Sequence, residues 1–286
     1  LAIAKTLHFK KAAELCHISQ SALGTALNEL EKQLGAQIFE RNNKQVLVTP
    51  FGEQALQKAR DIVLNAEELE YLAAAQSEPL SFPLSIGVIP TICPYLLPKV
   101  LPQLKQDYPQ AQFTIIEEQS QTLVTMVREG QIDAAILALP YPCDGLLEFD
   151  FWEEDFYWVA PNDKHRKKQR EVSSEALKHQ NLMLLSDGHC LKEHVLEACK
   201  LPQQTANNGF GATSLNTLIQ MVRGGLGTTL IPAMAIDQLI EKQDELVAVH
   251  LDEPSPHRRI AFIVRPNYTR TSSIQALINV CKDALG

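Results

Sequence analysis

The 286-residue chain has no CxxC pair, and its six cysteines are too sparse to staple a fold of this length. This argues against a zinc ribbon, a thioredoxin-like redox motif and a disulfide-built secreted scaffold. It also has no apolar run near the roughly 18–20 residues of a membrane span, and no segment patterned like a signal peptide. No membrane partner is expected, and cytoplasmic residence is the simple reading. The opening LAIAKTLHF has no Met and already follows a helical pattern, so residues are expected to precede it. Positive charge is also in deficit: the formal net charge is −8, which argues against a protein basic throughout.

Hydrophobic content of 45% and charged content of 21% are ordinary for globular proteins, and the length suits about two domains. Charge is unevenly spread: residues 1–60 carry eight Lys/Arg against five acids, a local +3. That permits nucleic-acid contact by the N-terminal segment without establishing it. Within FKKAAELCHISQSALGTALNELEKQLGAQIFERNNKQVLVTPFG, the pattern predicts a helix, a tight turn, a second helix and a hairpin. Ser19 suits the N-cap of the second helix, and Gly35 its stop. Ala22, Leu23, Ala26, Leu27, Leu30 and Leu34 recur at helical spacing. Such a pair is either a helix-turn-helix with a wing or a small helical subdomain of no special function.

From Phe51 to Gln76 the stripe Leu56, Ala59, Val63, Ala66, Leu69, Ala73 approximates a heptad, so a helix that pairs with a partner helix is expected. SEPLSFP breaks it at a domain boundary. Beyond that break LSIGVIP, QFTIIEEQ, IDAAILAL, FYWVAP, LMLLS, LVAVHL and RRIAFIVRP read as strands, with helical patterns between several of them. Such alternation predicts parallel sheets flanked by helices, in two lobes around a cleft. The pattern divides the chain at 52 and 78, and with the resemblance given below the expected division is a winged helix-turn-helix over 1–52, a linker helix over 53–78 and an α/β regulatory domain over 79–286.

LLSDGHCLKEHVLEAC places Cys190 and Cys199 nine residues apart, the first directly after an Asp-Gly turn. Three readings compete at this point. The thiols are buried small residues, reactive thiols, or metal ligands together with His189 and His194. Helical spacing sets Cys199 on the face opposite Cys190, which disfavours a compact metal site, so no metal and no cofactor are expected. Near a helix N-terminus the dipole favours a thiolate at Cys190. Cys16, Cys93, Cys143 and Cys281 are expected to be inert, although Cys93 lies close to Thr91. DKHRKKQR (163–170) reads as a solvated basic loop.

These stretches resemble the LysR-type transcriptional regulators. The first 52 residues are similar to that family's winged helix-turn-helix. IGVIPTICPYLLPKVLPQL, LMLLSDGHCLKEHVLEAC and FGATSLNTLIQMVRGGLGTTLIPA resemble its peroxide-sensing branch, and the likeness spans the whole chain. It implies a fold of two Rossmann-like lobes, similar to periplasmic binding proteins, behind an all-α winged helix-turn-helix. It implies no enzyme but a regulator partnered by promoter DNA, hydrogen peroxide, RNA polymerase and other copies of itself, as homodimer or homotetramer. By resemblance Cys190 attacks peroxide and becomes a sulfenic acid, and Cys199 resolves it to a disulfide. The implied peroxide pocket is Thr91, His189, Glu193 and Arg259. His189 is expected to add a donor or a positive charge, and Leu191, Val195 and Leu196 the apolar face that a switch uncovers. Groove contacts are expected from Ser19, Gln20, Ser21 and Thr25, with phosphate contacts from Arg41 and Lys44. Departures from the family pattern are Glu193 for Asp, Gly211 for Arg, Ser21 for Pro and Asn28 for Arg.

The implied bond has a physical consequence. Nine helical residues rise about 13.5 Å and end half a turn away, whereas a disulfide needs Cα atoms about 4.4–6.8 Å apart. Oxidation must melt the helix. Two other classes stay open: a LysR-type regulator that binds a metabolite without thiol chemistry, and a thiol peroxidase, which needs neither the first domain nor the linker.

Overall fold

The computed structural model describes residues 1–42, 45–74, 78–162, 169–202, 212–241 and 243–286. The chain forms two compact units, Leu1–Ala73 and Ala74–Gly286.

In the first unit, helices α1 (Ala2–Thr6), α2 (Phe9–Leu15) and α3 (Gln20–Leu34) precede a hairpin of β1 (Phe39–Asn42) and β2 (Gln45–Val48), then α4 (Pro50–Ala74). The Ser19 side chain accepts from the Ala22 N–H at 3.1 Å, capping α3 as expected. Gly35 ends α3 in the left-handed region at φ 68°, where a side chain would be strained. Glu31 Oε1 accepts from the N–H groups of Ile38 and Phe39 at 2.8 and 3.1 Å, tying α3 to the hairpin. The core is small: Ile3, Ala12, Leu27, Ile38, Phe39 and Leu56. The expected apolar stripe of α3 is therefore narrower than its spacing suggests. Leu27 is buried, while Leu30 and Leu34 stay 44% and 48% exposed. On α4, Leu56 turns into this core, whereas Ile62, Val63, Leu69 and Leu72 are exposed.

The second unit runs β3 (Leu84–Val88), α5 (Cys93–Asp107), β4 (Phe113–Glu117), α6 (Ser120–Arg128), β5 (Ala134–Leu139), β6 (Leu147–Glu154) and β7 (Phe156–Pro161). There follow β8 (Glu171–Val172), α7 (Ser174–Leu177), α8 (Cys190–Ala198), α9 (Leu215–Arg223), β9 (Thr229–Pro232), α10 (Ile236–Leu239), β10 (Leu246–Leu251), β11 (Arg258–Val264) and α11 (Thr271–Leu285). One sheet has the order β4-β3-β5-β11-β6, the other β8-β10-β7-β9. Every residue of β5 is buried, as befits an unbroken apolar run covered on both faces.

The expected parallel sheets are only partly present. β3 pairs parallel with β4 and β5, but β11 returns between β5 and β6 antiparallel to both. β7 is likewise antiparallel to β9 and β10. The reason is topological: β6 feeds directly into β7 of the other sheet, and β10 returns directly into β11, so no helical crossover restores strand direction. LMLLS forms no strand, only isolated bridges from Leu182 to Thr228 and from Leu185 to Ala212. The two inter-sheet passages meet where Glu154, last in β6, is the Cα partner of Arg258, first in β11. No helix among the described residues is long and apolar enough to cross a membrane.

Candidate functional site

The site is built around the start of α8. Gly188 holds φ +94°, and a Cβ there would lie 2.4 Å from Gln119 Oε1, so the turn before the helix needs a glycine. Lys192 Nζ donates to Asp187 Oδ1 at 2.6 Å across the same turn. His189 is the N-cap residue and Cys190 the first helical one; at the far end Cys199 is the C-cap. Lys200 then turns left-handed at φ 51°, and the Leu201 N–H donates to the Leu196 carbonyl, ending the helix. Leu191, Val195 and Leu196 are buried. Leu191 and Val195 share an apolar hollow with Leu184, Leu185, Leu215, Leu218 and Leu230.

Cys190 is 4% exposed and Cys199 fully buried, and both thiols are free. The two have different neighbours. Cys190 meets Ser120 at the start of α6, the Ala138 backbone of β5 and the charge of Arg258. Cys199 has Glu253, beyond β10, as its charged neighbour. A crevice over Cys190 is lined by Ile89, Pro90, Thr91, Gln119, Ser120, Gly188 and His189, and it is closed to a water-sized sphere.

Arg258 holds Thr91, one of the crevice residues. Its Nε donates to Glu154 Oε1 at 2.8 Å, Nη1 to Thr91 Oγ1 at 3.2 Å and Nη2 to the Thr91 carbonyl at 3.3 Å. Glu154 Oε2 accepts from the Met234 N–H at 2.9 Å. The side chains of this pair are 0% and 2% exposed. Because Thr91 Oγ1 accepts from the guanidinium, its own proton is free to donate to an oxygen in the crevice.

Electrostatics at the thiol oppose one another. Burial pushes the Cys190 thiol up and outweighs the Ser120 hydroxyl, the Arg258 charge and the Ala138 N–H, which favour thiolate; Glu193 adds to the rise. The helix N-terminus is thus not sufficient to make Cys190 a resting thiolate, contrary to the expectation from its position. Ser120 Oγ has no other partner among the described residues. Burial raises Cys199 to about 12, with Glu253 adding to it. His189 is held below its ordinary value by burial despite Glu193, so it is a neutral donor rather than a positive charge. Cys93 is raised to about 12 by burial and then by its hydrogen bond to Glu117, which leaves it an unreactive thiol.

Thr91, His189 and Cys190 line the same crevice. Two other expected residues stand apart. Arg259 pairs with Asp150 and is 43% exposed. Neighbouring strand residues point to opposite faces, so Arg258 turns inward and Arg259 outward. Glu193 is exposed and does not line the crevice. Arg258, Glu154, Ser120 and Gln119 were not anticipated. The pair of arginines in RRIAF was the available signal, but its parity depends on the register of β11.

In the first unit Ser19, Gln20, Ser21 and Thr25 are all exposed at the start of α3. The Arg41 side chain and Lys44 lie outside the described residues, as do Gly211 and residues 163–168 of the basic run. Among the described residues, no group of three or more His, Cys, Asp and Glu is placed to hold a metal ion.

Two family descriptions match the chain: "Bacterial regulatory helix-turn-helix protein, lysR family" over residues 1–53, and "LysR substrate binding domain" over 77–286. Among curated relatives, the HTH-type transcriptional regulator EstR of Acinetobacter baylyi is 35% identical over 281 residues, covering 98% of this chain and 93% of that protein. The DNA-binding transcriptional dual regulator OxyR of Escherichia coli K12 is 34% identical, covering 97% of this chain and 90% of that protein. Among solved structures, a full-length OxyR variant from Pseudomonas aeruginosa aligns with TM-score 0.78 and 33% identity over 98% of this chain and 94% of that chain. A hydrogen peroxide-bound OxyR mutant from Corynebacterium glutamicum aligns with TM-score 0.71 and 33% identity over 99% and 89%. Helix-turn-helix, α/β regulatory unit and whole-chain likeness agree: this chain belongs to the LysR family of transcriptional regulators and is OxyR-like within it.

Proposed function

We propose that the chain is a peroxide-responsive, promoter-binding regulator switched by a disulfide between Cys190 and Cys199. The observation that carries this reading is the buried Cys190 thiol facing a Thr91 hydroxyl that is fixed by Arg258. Peroxide entering the crevice meets the Thr91 hydroxyl among its lining groups. The Cys190 sulfur gives up its thiol proton as it attacks the nearer oxygen, the O–O bond breaks, and the leaving oxygen takes up that proton to depart as water. The sulfur is oxidised by two electrons to a sulfenic acid. The Cys199 sulfur then attacks that sulfur, the S–OH bond breaks, a disulfide forms, and the departing hydroxyl takes up the Cys199 thiol proton and leaves as a second water. Donors aimed at the departing oxygen stabilise its charge, and the low dielectric of the crevice strengthens them.

The crevice is closed at rest, so peroxide enters only when the walls shift slightly; this favours a very small substrate. Because the thiols occupy opposite ends of α8, bond formation requires the helix to unwind and Leu191, Val195 and Leu196 to leave their seats. Such a change reaches the DNA through the dimer. Exposed Ile62, Leu69 and Leu72 on α4 supply its apolar seam, a tetramer follows from pairing of dimers, and RNA polymerase reads the result. Ser19, Gln20, Ser21 and Thr25 face the groove, with Arg41 and Lys44 on phosphates. The test is a pair of variants: Cys190→Ser should abolish the peroxide response of promoter binding, and Cys199→Ser should stop at a trappable sulfenic acid. A Cys190→Ser protein that still switches would overturn the reading.

A second reading is favoured by a different hollow. About 470 Å³ lies open beside the β6–β7 passage, lined by Trp152, Asp155, Tyr157 and Ser255 among others, and would suit a metabolite. A ligand there that alters promoter binding in the Cys190→Ser protein would support it.

A further inference from the structure

His194 lies one helical turn beyond Cys190 on α8 and is 3% exposed. Its Nε2 is 2.9 Å from the Pro140 carbonyl, beyond the end of β5. A carbonyl can only accept, so Nε2 carries the proton and Nδ1 is an acceptor lone pair. That Nδ1 is buried and has no hydrogen-bond partner among the described residues. Burial, with the nearby charge of Arg258, holds the imidazole down at about 4, so the ring is neutral in the cell's pH range. A buried acceptor left without a donor costs more than the single hydrogen bond at Nε2 returns. The unmet cost exists only while α8 is docked, since an unwound segment gives Nδ1 to water.

We infer that His194 is a positioning residue for the resolving step: its unsatisfied ring nitrogen biases α8 toward undocking, and so speeds delivery of Cys199 to the oxidised Cys190. This rests on the disulfide reading above. The alternative sign is a latch, in which the Pro140 hydrogen bond holds the helix down and His194 slows the step. The observations favour undocking, because one nitrogen is paired to a neutral acceptor and the other has no hydrogen-bond partner among the described residues. Leu191, three residues earlier and so on the adjoining part of the helix surface, is apolar and buried.

The test replaces the imidazole by an apolar group of similar size, His194→Leu, with His194→Met as a second variant should leucine disturb folding. His194→Gln retains a donor for Pro140 together with a spare acceptor. Two quantities are read on the full chain. Amide hydrogen exchange of α8 in the reduced protein should slow about tenfold in the Leu and Met variants, equivalent to about 1.4 kcal/mol. Sulfenic acid formation, which depends on peroxide concentration, should keep its rate, while the concentration-independent disulfide step slows about tenfold. His194→Gln should restore both rates. Exchange and resolution that are unchanged or faster in Leu and Met would overturn the inference. Should the native protein form no Cys190–Cys199 bond, the functional reading fails, yet the exchange comparison still decides the role of His194.

Discussion

Glu154→Gln leaves the Arg258 guanidinium buried without its counter-charge. Both side chains are essentially inaccessible, at 2% and 0%, and Glu154 also accepts from the Met234 backbone. Breaking such a pair from one side costs about 3–5 kcal/mol, because an uncompensated charge remains in a low-dielectric site. Gln still offers one carbonyl oxygen to Arg258, so the lower figure, about 3 kcal/mol, is expected. The double variant Glu154→Gln/Arg258→Met removes the stranded charge and should return to within about 1 kcal/mol of the native protein. Both tryptophans, Trp152 and Trp158, lie in the second unit, so their fluorescence during urea unfolding reports on the unit that carries the pair. With a slope of roughly 2 kcal/mol per molar urea, the single variant should unfold about 1.5 M earlier. A single variant within about 0.3 M of native, or a double variant no better than the single, would refute the argument that this pair is held as a mutually dependent buried unit.

Thr91→Val keeps the volume but removes both the acceptor for Arg258 and the donor to the crevice; stopped-flow peroxide consumption should fall about a hundredfold, the scale of one lost donor to a departing oxygen. Ser120→Ala removes a hydroxyl that favours the thiolate, so the pH profile of Cys190 alkylation should move to higher pH. Ser19→Ala deletes the α3 cap and should lower the stability of the first unit by about 1 kcal/mol while weakening promoter binding. Acid should loosen the second unit through His194. Its native value of about 4 lies below the ordinary 6.5, so between these values the unfolded chain binds the extra proton and stability falls as pH drops. At pH 5.5 the loss relative to pH 8 is about 1.4 kcal/mol, measured as the part of the urea-midpoint change that His194→Leu abolishes.

Much of the architecture was legible because its signals are local. Ser19 and Gly35 mark the ends of α3 by capping chemistry, and the unbroken apolar run of β5 needs covering on both faces. What stayed hidden depends on contacts far apart in sequence. The parity of Arg258 and Arg259 is fixed by pairing of β11 with Glu154 and Glu153 of β6, more than 100 residues earlier. Strand β6 itself, LEFDFWEE, is an edge strand with much of its length exposed, so its charges masked it. The position of Cys190 at a helix start suggested a thiolate, but burial is a tertiary property and it prevails. His194 was noticed only as a possible metal ligand, because an orphaned nitrogen has no sequence signature.

The most direct test of the central claim is mass analysis with peptide mapping of the reduced protein before and after one equivalent of hydrogen peroxide. The account predicts rapid loss of two hydrogens, mapped to a bond between Cys190 and Cys199, with Cys93, Cys143 and Cys281 still alkylatable after unfolding. Recovery of Cys190 and Cys199 as free thiols, under conditions where added peroxide has been consumed or has altered promoter binding, would contradict it.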